Sequence, residues 1–356
     1  MNKFPNLMES ISPGKVKNIL LVKQHNQFGD MLCTLPSFAA VRKKYPDAHI
    51  TLVCSPGNYE ILEGENKYID EFLIYDKSGL FKLIKFFIRL REKNYDISVV
   101  PSTVAFSRTS HIIGRLSGAK VRAGVKSADG KGNKSENLLN VKKDFKWEDN
   151  KIHQSERFLD IVRQIGCDLT IEEKKDVRIE YTSEEKILAD EFFRKYFTDE
   201  SRRVVSFQPG AGKVPNRWCP EKFENLIEKL YKEFNIYILF TPGPADKDLA
   251  DHLSQRLNAK NIYSVTAQFN IRIVSLLLSG CSLYITNDTG TMHSAAYSGA
   301  KVISLFGPTN GWEWAPEKDS CIFIQSKSND INDISVEEVY EKAENILKKK
   351  ITNKQT

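Results

Sequence analysis

Short apolar runs alternate with amphipathic segments along the first half of the chain. The segments at 31–45, 80–93 and 107–118 carry apolar residues at helical spacing. The apolar runs between and around them are β-branched or aromatic, end in turn residues, and lie at 18–23, 49–54, 71–76, 96–101 and 120–125. This alternation predicts βαβ units, and therefore a parallel sheet with helices on both faces.

The second half of the chain repeats this pattern. Its strand-like runs lie at 203–208, 236–241, 261–265, 281–286 and 301–306. Its helix-like segments lie near 219–234, 245–257, 270–279 and 289–298. We therefore expect two doubly wound α/β domains, which matches the usual domain size for a chain of 356 residues.

The charged stretch between the two halves predicts the domain boundaries. It contains a helix candidate at 182–197 that opens with a Ser/Thr cap and early glutamates. The predicted organisation is, in order, an N-terminal domain, a linker with its helix, a second domain, and a C-terminal helix with a frayed basic tail. These parts cover residues 1–175, 176–202, 203–334 and 335–356.

Composition narrows the class of protein. Hydrophobic residues make up 41% and charged residues 28% of the chain, and no run approaches the roughly 18 apolar residues of a membrane span. The polar N-terminus lacks an apolar signal core, so we expect a soluble cytoplasmic protein with a loose leader. The six cysteines are scattered without a C-x-x-C pair, which favours buried reduced thiols and predicts no metal site.

The net charge of +6 suggests a partner that carries negative charge. The lysines and arginines are spread along the chain without a pattern typical of nucleic-acid binding, so nucleic acid is not expected. The loop after the first strand, KQHNQFGDMLCTLP, lacks the G-x-G-x-x-G of a dinucleotide site, and no P-loop motif occurs. A nicotinamide dehydrogenase and a P-loop NTPase are therefore disfavoured.

Asp30 follows the first strand, at the edge of a parallel sheet where ligands bind. We predict a helix that begins near Met31, with Asp30 at its N-terminus. Two interpretations stand side by side: a general base that takes a proton from a substrate hydroxyl, or a residue that caps its helix.

The stretch NDTG at 287–290 lies between a strand and a helix rich in small residues. Backbone amides of Thr289 and Gly290 at this helix start could hold a diphosphate, while Asp288 would orient the loop. His293, on the first helical turn, is a donor to a phosphate or sugar oxygen, or a packing histidine beneath the loop.

The loop QPGAGKVPNRWCPEKF follows the first strand of the second half. Gly210 makes it pliant, and Lys213 and Arg217 supply cations for phosphates. We interpret Trp218 as a packing residue rather than a base-stacking platform. Further along, Asp246 and Asp248 resemble a metal-binding D-x-D, but acids in a first helical turn are ordinary dipole partners, which we favour.

Two basic segments remain open to interpretation. Four cations spaced three or four residues apart form a stripe, which suits either an anionic membrane surface or a helix packed on a sheet, and we favour the sheet. They are Lys82, Lys85, Arg89 and Lys93. The polar segment 124–146, which includes Lys126, is predicted to be a loop that binds anionic glycolipid or is merely solvated.

Four blocks, in order, resemble glycosyltransferase family 9, whose best-known members are ADP-heptose:lipopolysaccharide heptosyltransferases. They are ILLVKQHNQFGDMLCTLPSFAAVRKKYPDAHI, YDISVVPS, FQPGAGKVPNRWCPEKFENLIEKL and YITNDTGTMHSAAYSGAKVISLFGPTN. The resemblance spans about residues 18–312. It implies the GT-B architecture, in which two Rossmann-like parallel-sheet domains face a cleft, with the acceptor on the N-terminal side and the nucleotide sugar on the C-terminal side.

The resemblance further implies an inverting, metal-independent transfer of heptose from ADP-heptose to the lipopolysaccharide inner core, without a cofactor, at the cytoplasmic membrane face. Asp30 matches the family's proposed base, and Gly29 lies beside it on the acceptor side. Asp246 matches a residue that contacts the ribose, and Asp288 matches a residue beside the nucleotide sugar, which implies contact with a sugar hydroxyl. The sequence departs from the family at Asn216, where a lysine is usual. Alternatives are a transferase for another nucleotide sugar or acceptor, a GT-B nucleotide-sugar epimerase, and a non-catalytic nucleotide-sugar-binding protein.

Overall fold

The structure, a computed structural model, describes residues 11–243, 246–257, 261–265 and 269–348. The chain divides between Glu180 and Tyr181 into two compact units. Each is an α/β unit built on one main sheet. The leader up to residue 10, the basic tail after residue 348, and the expected start of a helix at 245 lie outside the described residues.

The first unit contains seven strands and seven α-helices among its described residues. The strands are β1 Asn18–Lys23, β2 His49–Cys54, β3 Glu71–Ile74, β4 Ile97–Val99, β5 Val121–Ala128, β6 Lys131–Gly132 and β7 Val141–Phe145. The helices are α1 Phe28–Cys33, α2 Leu35–Lys44, α3 Pro56–Leu62, α4 Leu80–Glu92, α5 Arg108–Leu116, α6 Gln154–Arg163 and α7 Ile171–Lys175.

The sheet of the first unit has the order β3-β2-β1-β4-β5, with β6 and β7 both paired to β5. All of these pairs are parallel except the short β5–β6 pair. Five consecutive residues of β1 are buried, because helices cover both faces of the sheet. The chain order reverses between β1 and β4, and in open α/β sheets ligands bind at the carboxyl ends of the strands at such a point.

The segment 124–146 is not the loop that the sequence predicted. It contains most of β5, all of β6, and β7, which pairs in parallel with β5 at the edge of the sheet. The prediction was wrong because β7 is only partly buried and reads VKKDF. An edge strand that is partly exposed to solvent does not need the continuous apolar run by which a buried strand is recognised.

Helix α4 packs on the sheet, which is the interpretation that the sequence favoured. Its cations pair with acids at the neighbouring strand: Lys82 Nζ lies 2.6 Å from Asp76 Oδ2, and Arg89 Nη2 lies 2.7 Å from Glu71 Oε1. Lys93 also pairs with Glu71. The basic stripe is therefore largely neutralised within the unit.

The second unit opens with a helix and continues as a second alternation of strands and helices. Its helices are α8 Ser183–Tyr196, α9 Pro220–Phe234, α10 Lys247–Arg256, α11 Ile271–Gly280, α12 Gly290–Tyr297, α13 Gly311–Trp314 and α14 Val336–Lys348. Its strands are β8 Val204–Gln208, β9 Tyr237–Phe240, β10 Ile262–Ser264, β11 Leu283–Asn287, β12 Val302–Phe306 and β13 Cys321–Gln325.

The sheet of the second unit is parallel throughout, with the order β10-β9-β8-β11-β12-β13. The chain order reverses between β8 and β11, so the loops after these two strands lie side by side. The sequence missed β13, an edge strand that is only partly buried. Every residue of β8, β9, β11 and β12 is buried, and the sequence predicted all four strands.

A buried ion pair fixes α8 to α11 in the second unit. Arg272 is 1% exposed, and its Nε and Nη2 donate to Glu185 Oε1 and Oε2 at 2.5 and 2.8 Å. Glu185 also accepts from the backbone N–H of Thr182 in a capping box. Burial acts to raise the pKa of Glu185, but its hydrogen bonds to Arg272 and Thr182 outweigh this and lower the pKa.

We expect Arg272→Leu to lower the free energy of unfolding by about 3 kcal/mol near neutral pH, because a largely buried carboxylate loses its partner. A lowered pKa in the folded state contributes stability above the ordinary value of 4.5, and this contribution is lost as the pH falls. The deficit of the variant should therefore shrink in acid.

Urea unfolding at several pH values measures this deficit. Arg194→Leu, at an exposed position of α8, is the matched control and should change stability by less than about 0.5 kcal/mol. An equal deficit at every pH would show that Glu185 does not depend on Arg272.

Candidate active site

Asp30 lies at the carboxyl edge of the first sheet, anchored by a buried cation. Its Oδ2 is 2.5 Å from Nζ of Lys23, the last residue of β1. Lys23 is 4% exposed, whereas the side chain of Asp30 is 14% exposed and reaches solvent. Lys23 Nζ also donates to the carbonyl oxygen of Pro101 at 3.3 Å and lies 4.2 Å from the ring centroid of Phe158. The carboxylate is thus held at the point where the order of the strands reverses.

Asp30 is not the N-cap residue that one interpretation made it, although it lies in the first turn of its helix. Helix α1 begins at Phe28 rather than near Met31, so Asp30 is its third residue and Gln27 is the residue before it. The first helical bond runs from the backbone N–H of Met31 to the carbonyl of Gln27. Gly29 is the second residue of the same turn. The sequence does not reveal where this helix begins, because the side chain of Gln27 makes no capping hydrogen bond and no typical capping residue stands at this position.

His25, two residues after β1, was missed by the sequence reasoning. Loss of hydration and the positive charge of Lys23 lower the pKa of His25, while the charge of Asp30 acts in the opposite direction. A histidine that is neutral near pH 7 can accept a proton. The only signal for it in the sequence was its place directly after the first strand of a parallel sheet.

In the second unit, the side chain of Asn287 joins the loop after β8 to the end of β11. Its Nδ2 donates to the carbonyl oxygens of Pro209 and Gly210 at 2.7 and 3.2 Å, and its Oδ1 accepts from the backbone N–H of Trp218 at 3.1 Å. Asn287 is fully buried. One amide therefore fixes both ends of the loop that carries Lys213 and Arg217.

Trp218 anchors the end of this loop as a packing residue, as the sequence indicated. It is 0% exposed, its indole N–H donates to the carbonyl oxygen of Ile334 at 3.0 Å, and its ring meets Phe223 edge to face at 5.0 Å. A ring buried in this way offers no open face to a base.

Asn216, at the position where the resemblance implies a lysine, holds a carboxylate. Its Nδ2 donates to Asp288 Oδ2 at 2.8 Å and lies 3.3 Å from Thr309 Oγ1. Burial raises the pKa of Asp288, while the Thr309 hydroxyl and the charge of Lys213 act in the opposite direction. A neutral amide thus holds this acid, and the exposed Lys213 is left for another anion.

Helix α12 begins at Gly290, as predicted, with Thr289 as the residue before it. The Thr289 hydroxyl does not cap the helix; its Oγ1 lies 2.7 Å from Thr291 Oγ1 and 3.2 Å from Thr286 Oγ1. Within the described ranges, the backbone N–H groups of Gly290 and Thr291 have no hydrogen-bond acceptor. These two donors point to an anion site at the start of the helix.

A cluster centred on Gln208 supports this helix start. Its Oε1 accepts from the hydroxyls of Tyr284 and Thr291, both at 2.6 Å, and these two hydroxyls are 2.9 Å apart. Burial raises the pKa of Tyr284 to about 12, so its hydroxyl stays protonated. Sequence reasoning missed the cluster, although Gln208 ends the first strand of the unit.

His293 is 3% exposed and lies within α12 among small side chains. This burial fits the interpretation as a packing histidine beneath the loop.

Asp246 is the residue before α10 and is 7% exposed. Its side chain makes no capping hydrogen bond to the helix. Its Oδ1 lies 3.6 Å from Nη2 of Arg217, whose Nε donates to the carbonyl oxygen of Ala211 at 2.8 Å. A Cβ built on Gly210 would lie 1.9 Å from Asp246 Cγ. Burial raises the pKa of Asp246, opposed by the charge of Arg217. The glycine, the acid and the arginine therefore form one close-packed group.

The remaining predicted residue, Lys126, lies in the first unit on β5. It is 47% exposed and pairs with Asp144 Oδ2 at 2.9 Å. Its charge is therefore shared with a carboxylate. Among the residues that the structure describes, no group of three or more His, Cys, Asp or Glu side chains is placed to hold a metal ion.

A family model described as glycosyltransferase family 9 (heptosyltransferase) matches residues 83–344. The chain belongs to glycosyltransferase family 9. It is 25% identical over 307 residues to lipopolysaccharide heptosyltransferase 3 of Escherichia coli strain K12, covering 83% of this chain and 84% of that protein. Asp30 precedes the segment that the family model matches.

Two solved structures support the fold of this family 9 glycosyltransferase. A family 9 glycosyl transferase from Veillonella parvula superposes with a TM-score of 0.78 at 22% identity, over 93% of this chain and 97% of that one. The ADP-heptose lps heptosyltransferase II of E. coli gives a TM-score of 0.74 at 20% identity, over 93% and 98%. The enzyme therefore has the GT-B fold, with two Rossmann-type units.

In this family 9 enzyme, Gly210→Ala should displace Asp246, because the added methyl group and the carboxyl carbon cannot both keep their places. We expect a loss of about 1–3 kcal/mol in unfolding free energy. Asp246→Gly should restore part of that loss in the double variant, whereas Gly212→Ala, whose Cβ meets nothing within 4 Å, is the matched control. Additive losses in a double-mutant cycle would contradict the packing.

Proposed function

We propose that this enzyme transfers a heptose from ADP-heptose to the lipopolysaccharide inner core, with inversion and without a metal ion. The observation that carries the proposal is the anion site at the start of α12, beside a loop that supplies two cations. Two comparisons support its specificity: a relative named as a lipopolysaccharide heptosyltransferase and a similar fold named for ADP-heptose.

The diphosphate of the donor would bind the free N–H groups of Gly290 and Thr291, with Lys213 and Arg217 as countercharges. Donors fixed before the reaction stabilise the charge that develops on the leaving diphosphate. Lys213 is exposed and Arg217 is held by the Ala211 carbonyl, so one cation is adaptable and the other is preorganised. A metal ion is not needed for this stabilisation.

Polar groups around the anion site would hold the rest of the donor. Asp246, next to Arg217, would accept from the ribose hydroxyls, and Asp288 would accept from a hydroxyl of the sugar. Thr289 would donate to phosphate or sugar oxygens, while the buried His293 would pack beneath the loop. Because Asn216 donates to Oδ2 of Asp288, the other oxygen, Oδ1, would accept from the sugar hydroxyl.

Asp30 would take the proton of the acceptor hydroxyl as the new bond to the anomeric carbon forms. The bond from that carbon to the diphosphate oxygen breaks on the opposite face, and the diphosphate leaves with the electron pair, so the configuration inverts. Lys23 keeps the carboxylate in position. Gly29 and Lys126 would contact the acceptor. His25 is a second candidate base.

A transferase that uses another nucleotide sugar or acceptor is the alternative favoured by a specific observation. Asn216 gives Asp288 a neutral partner where a lysine would add a positive charge near the diphosphate. A smaller positive charge near the diphosphate changes which nucleotide sugar binds most tightly. An epimerase or a non-catalytic binding protein would not need an acceptor, which separates them from both transferases.

No helix in the described ranges combines the length and the apolar character that crossing a bilayer requires. We propose that the enzyme meets its lipid-linked acceptor from the inner face of the cytoplasmic membrane.

Asp30→Asn should reduce transfer by roughly 10²–10⁴-fold in kcat, the usual contribution of a general base, because the amide cannot accept the proton. Its melting temperature should still rise with ADP, since the donor site lies in the other unit. The assay uses ADP-heptose and a truncated lipooligosaccharide, with Asp47→Asn, at an exposed turn of the first unit, as the matched control. Full activity in Asp30→Asn, combined with loss of activity in His25→Gln, would assign the base to His25.

A donor panel separates the transferase alternatives. We expect ADP and ADP-heptose to raise the melting temperature more than UDP and its sugars at equal concentration, because a ligand stabilises the state that binds it. A larger shift with UDP compounds would exclude ADP-heptose as the donor. Epimer formation without an acceptor would favour the epimerase.

A further inference from the structure

Helix α4 carries a strip of exposed apolar side chains that its packing in the unit does not use. Leu80 is 75% exposed, Phe81 80%, Ile84 49% and Ile88 58%. Positions 80, 84 and 88 are four residues apart and therefore lie in one line along the helix, with Phe81 beside them. Large apolar residues gathered in this way on a surface mark a contact with something else.

The same helix has a second apolar face that explains its stability. Phe86 and Leu90 are buried in the core of the first unit, and the ring of Phe86 meets Tyr75 edge to face at 5.0 Å. Through this buried face α4 packs on the sheet. The exposed strip is thus an addition to the fold, not part of its core.

The strip continues towards α5. Arg91, at the end of α4, donates from Nη1 to the carbonyl oxygen of Leu116 at 2.8 Å. Leu116 is 42% exposed, and Ile112, one turn before it on α5, is 38% exposed. These six apolar residues of α4 and α5 form what we call the α4–α5 surface.

Cations without a carboxylate partner lie on the same two helices. Lys85 and Arg91 on α4, and Arg108 and Arg115 on α5, have no carboxylate within 4.0 Å in the described ranges. Glu92 is the only acidic residue of either helix. The other cations of α4 are neutralised by Asp76 and Glu71. The surface therefore combines apolar side chains with uncompensated positive charge.

We propose that the α4–α5 surface docks on an anionic lipid bilayer. The apolar side chains would enter the boundary between headgroups and acyl chains, and the four cations would bind anionic headgroups. A second copy of the chain is a poorer occupant, because a symmetric contact would bring the same cations face to face. The inference extends the proposed function, since a lipid-linked acceptor lies in a bilayer, but vesicle binding requires neither donor nor acceptor.

The test is flotation of the full chain with vesicles of phosphatidylglycerol and phosphatidylethanolamine, compared with vesicles of phosphatidylcholine alone. The wild type should bind the anionic vesicles, and added salt should weaken binding. Phe81→Ala/Ile84→Ala/Ile88→Ala should lower the partition coefficient by roughly tenfold or more. Because alanine favours the helix, the unfolding midpoint of this variant should stay close to that of the wild type, and it is measured alongside. Lys85→Gln/Arg115→Gln should reduce the preference for anionic lipid.

The matched control is Ile187→Ala/Leu188→Ala, which removes two exposed apolar side chains from α8 of the other unit and should leave flotation unchanged. Absence of wild-type binding, or equal losses in both sets of variants, would overturn the proposal. A dimer that the triple variant makes monomeric, with flotation intact, would assign the surface to a second copy. Flotation without any heptose transfer by the wild type would count against the proposed reaction and not against this surface.

Discussion

The second unit depends on one buried side-chain amide. Asn287 ends β11, and its three hydrogen bonds attach both ends of the loop between β8 and α9. Leaving a buried amide unpaired costs about 1–3 kcal/mol, so the loop cannot slide without a loss of this size. The positions of Arg217, Asn216 and the start of α12 all follow from it. Gln208 then fixes the first turn of α12 to the neighbouring strand.

In both units, a polar side chain at the end of a strand holds a neighbouring loop in place. In each, the strand order reverses beside the first strand, and a polar side chain at a strand end reaches across to a neighbouring loop. Lys23 does this in the first unit and Asn287 in the second. The anchor of the first unit is charged and pairs with the Asp30 carboxylate, whereas the anchor of the second unit is a neutral amide.

The sequence predicted the buried strands because full burial requires continuous apolar runs, and it predicted the start of α12 from Thr289 and Gly290. It did not predict the partner of Asn216 or the cluster at Gln208, because these contacts join residues that are 72 to 83 positions apart. The sequence did not predict the edge strand β7, because this strand is polar. It did not predict the exposed apolar strip on α4 either, because apolar residues cover two faces of that helix and the pattern alone does not tell which face is buried.

The backbone amide resonances of Gly290 and Thr291 test most directly whether the donor diphosphate binds the start of α12. Titration of the labelled full chain with ADP should shift both resonances strongly and saturably, with the shift of Gly299, at the far end of the same helix, remaining small. Saturable shifts confined to residues elsewhere, with Gly290 and Thr291 unmoved, would contradict the account.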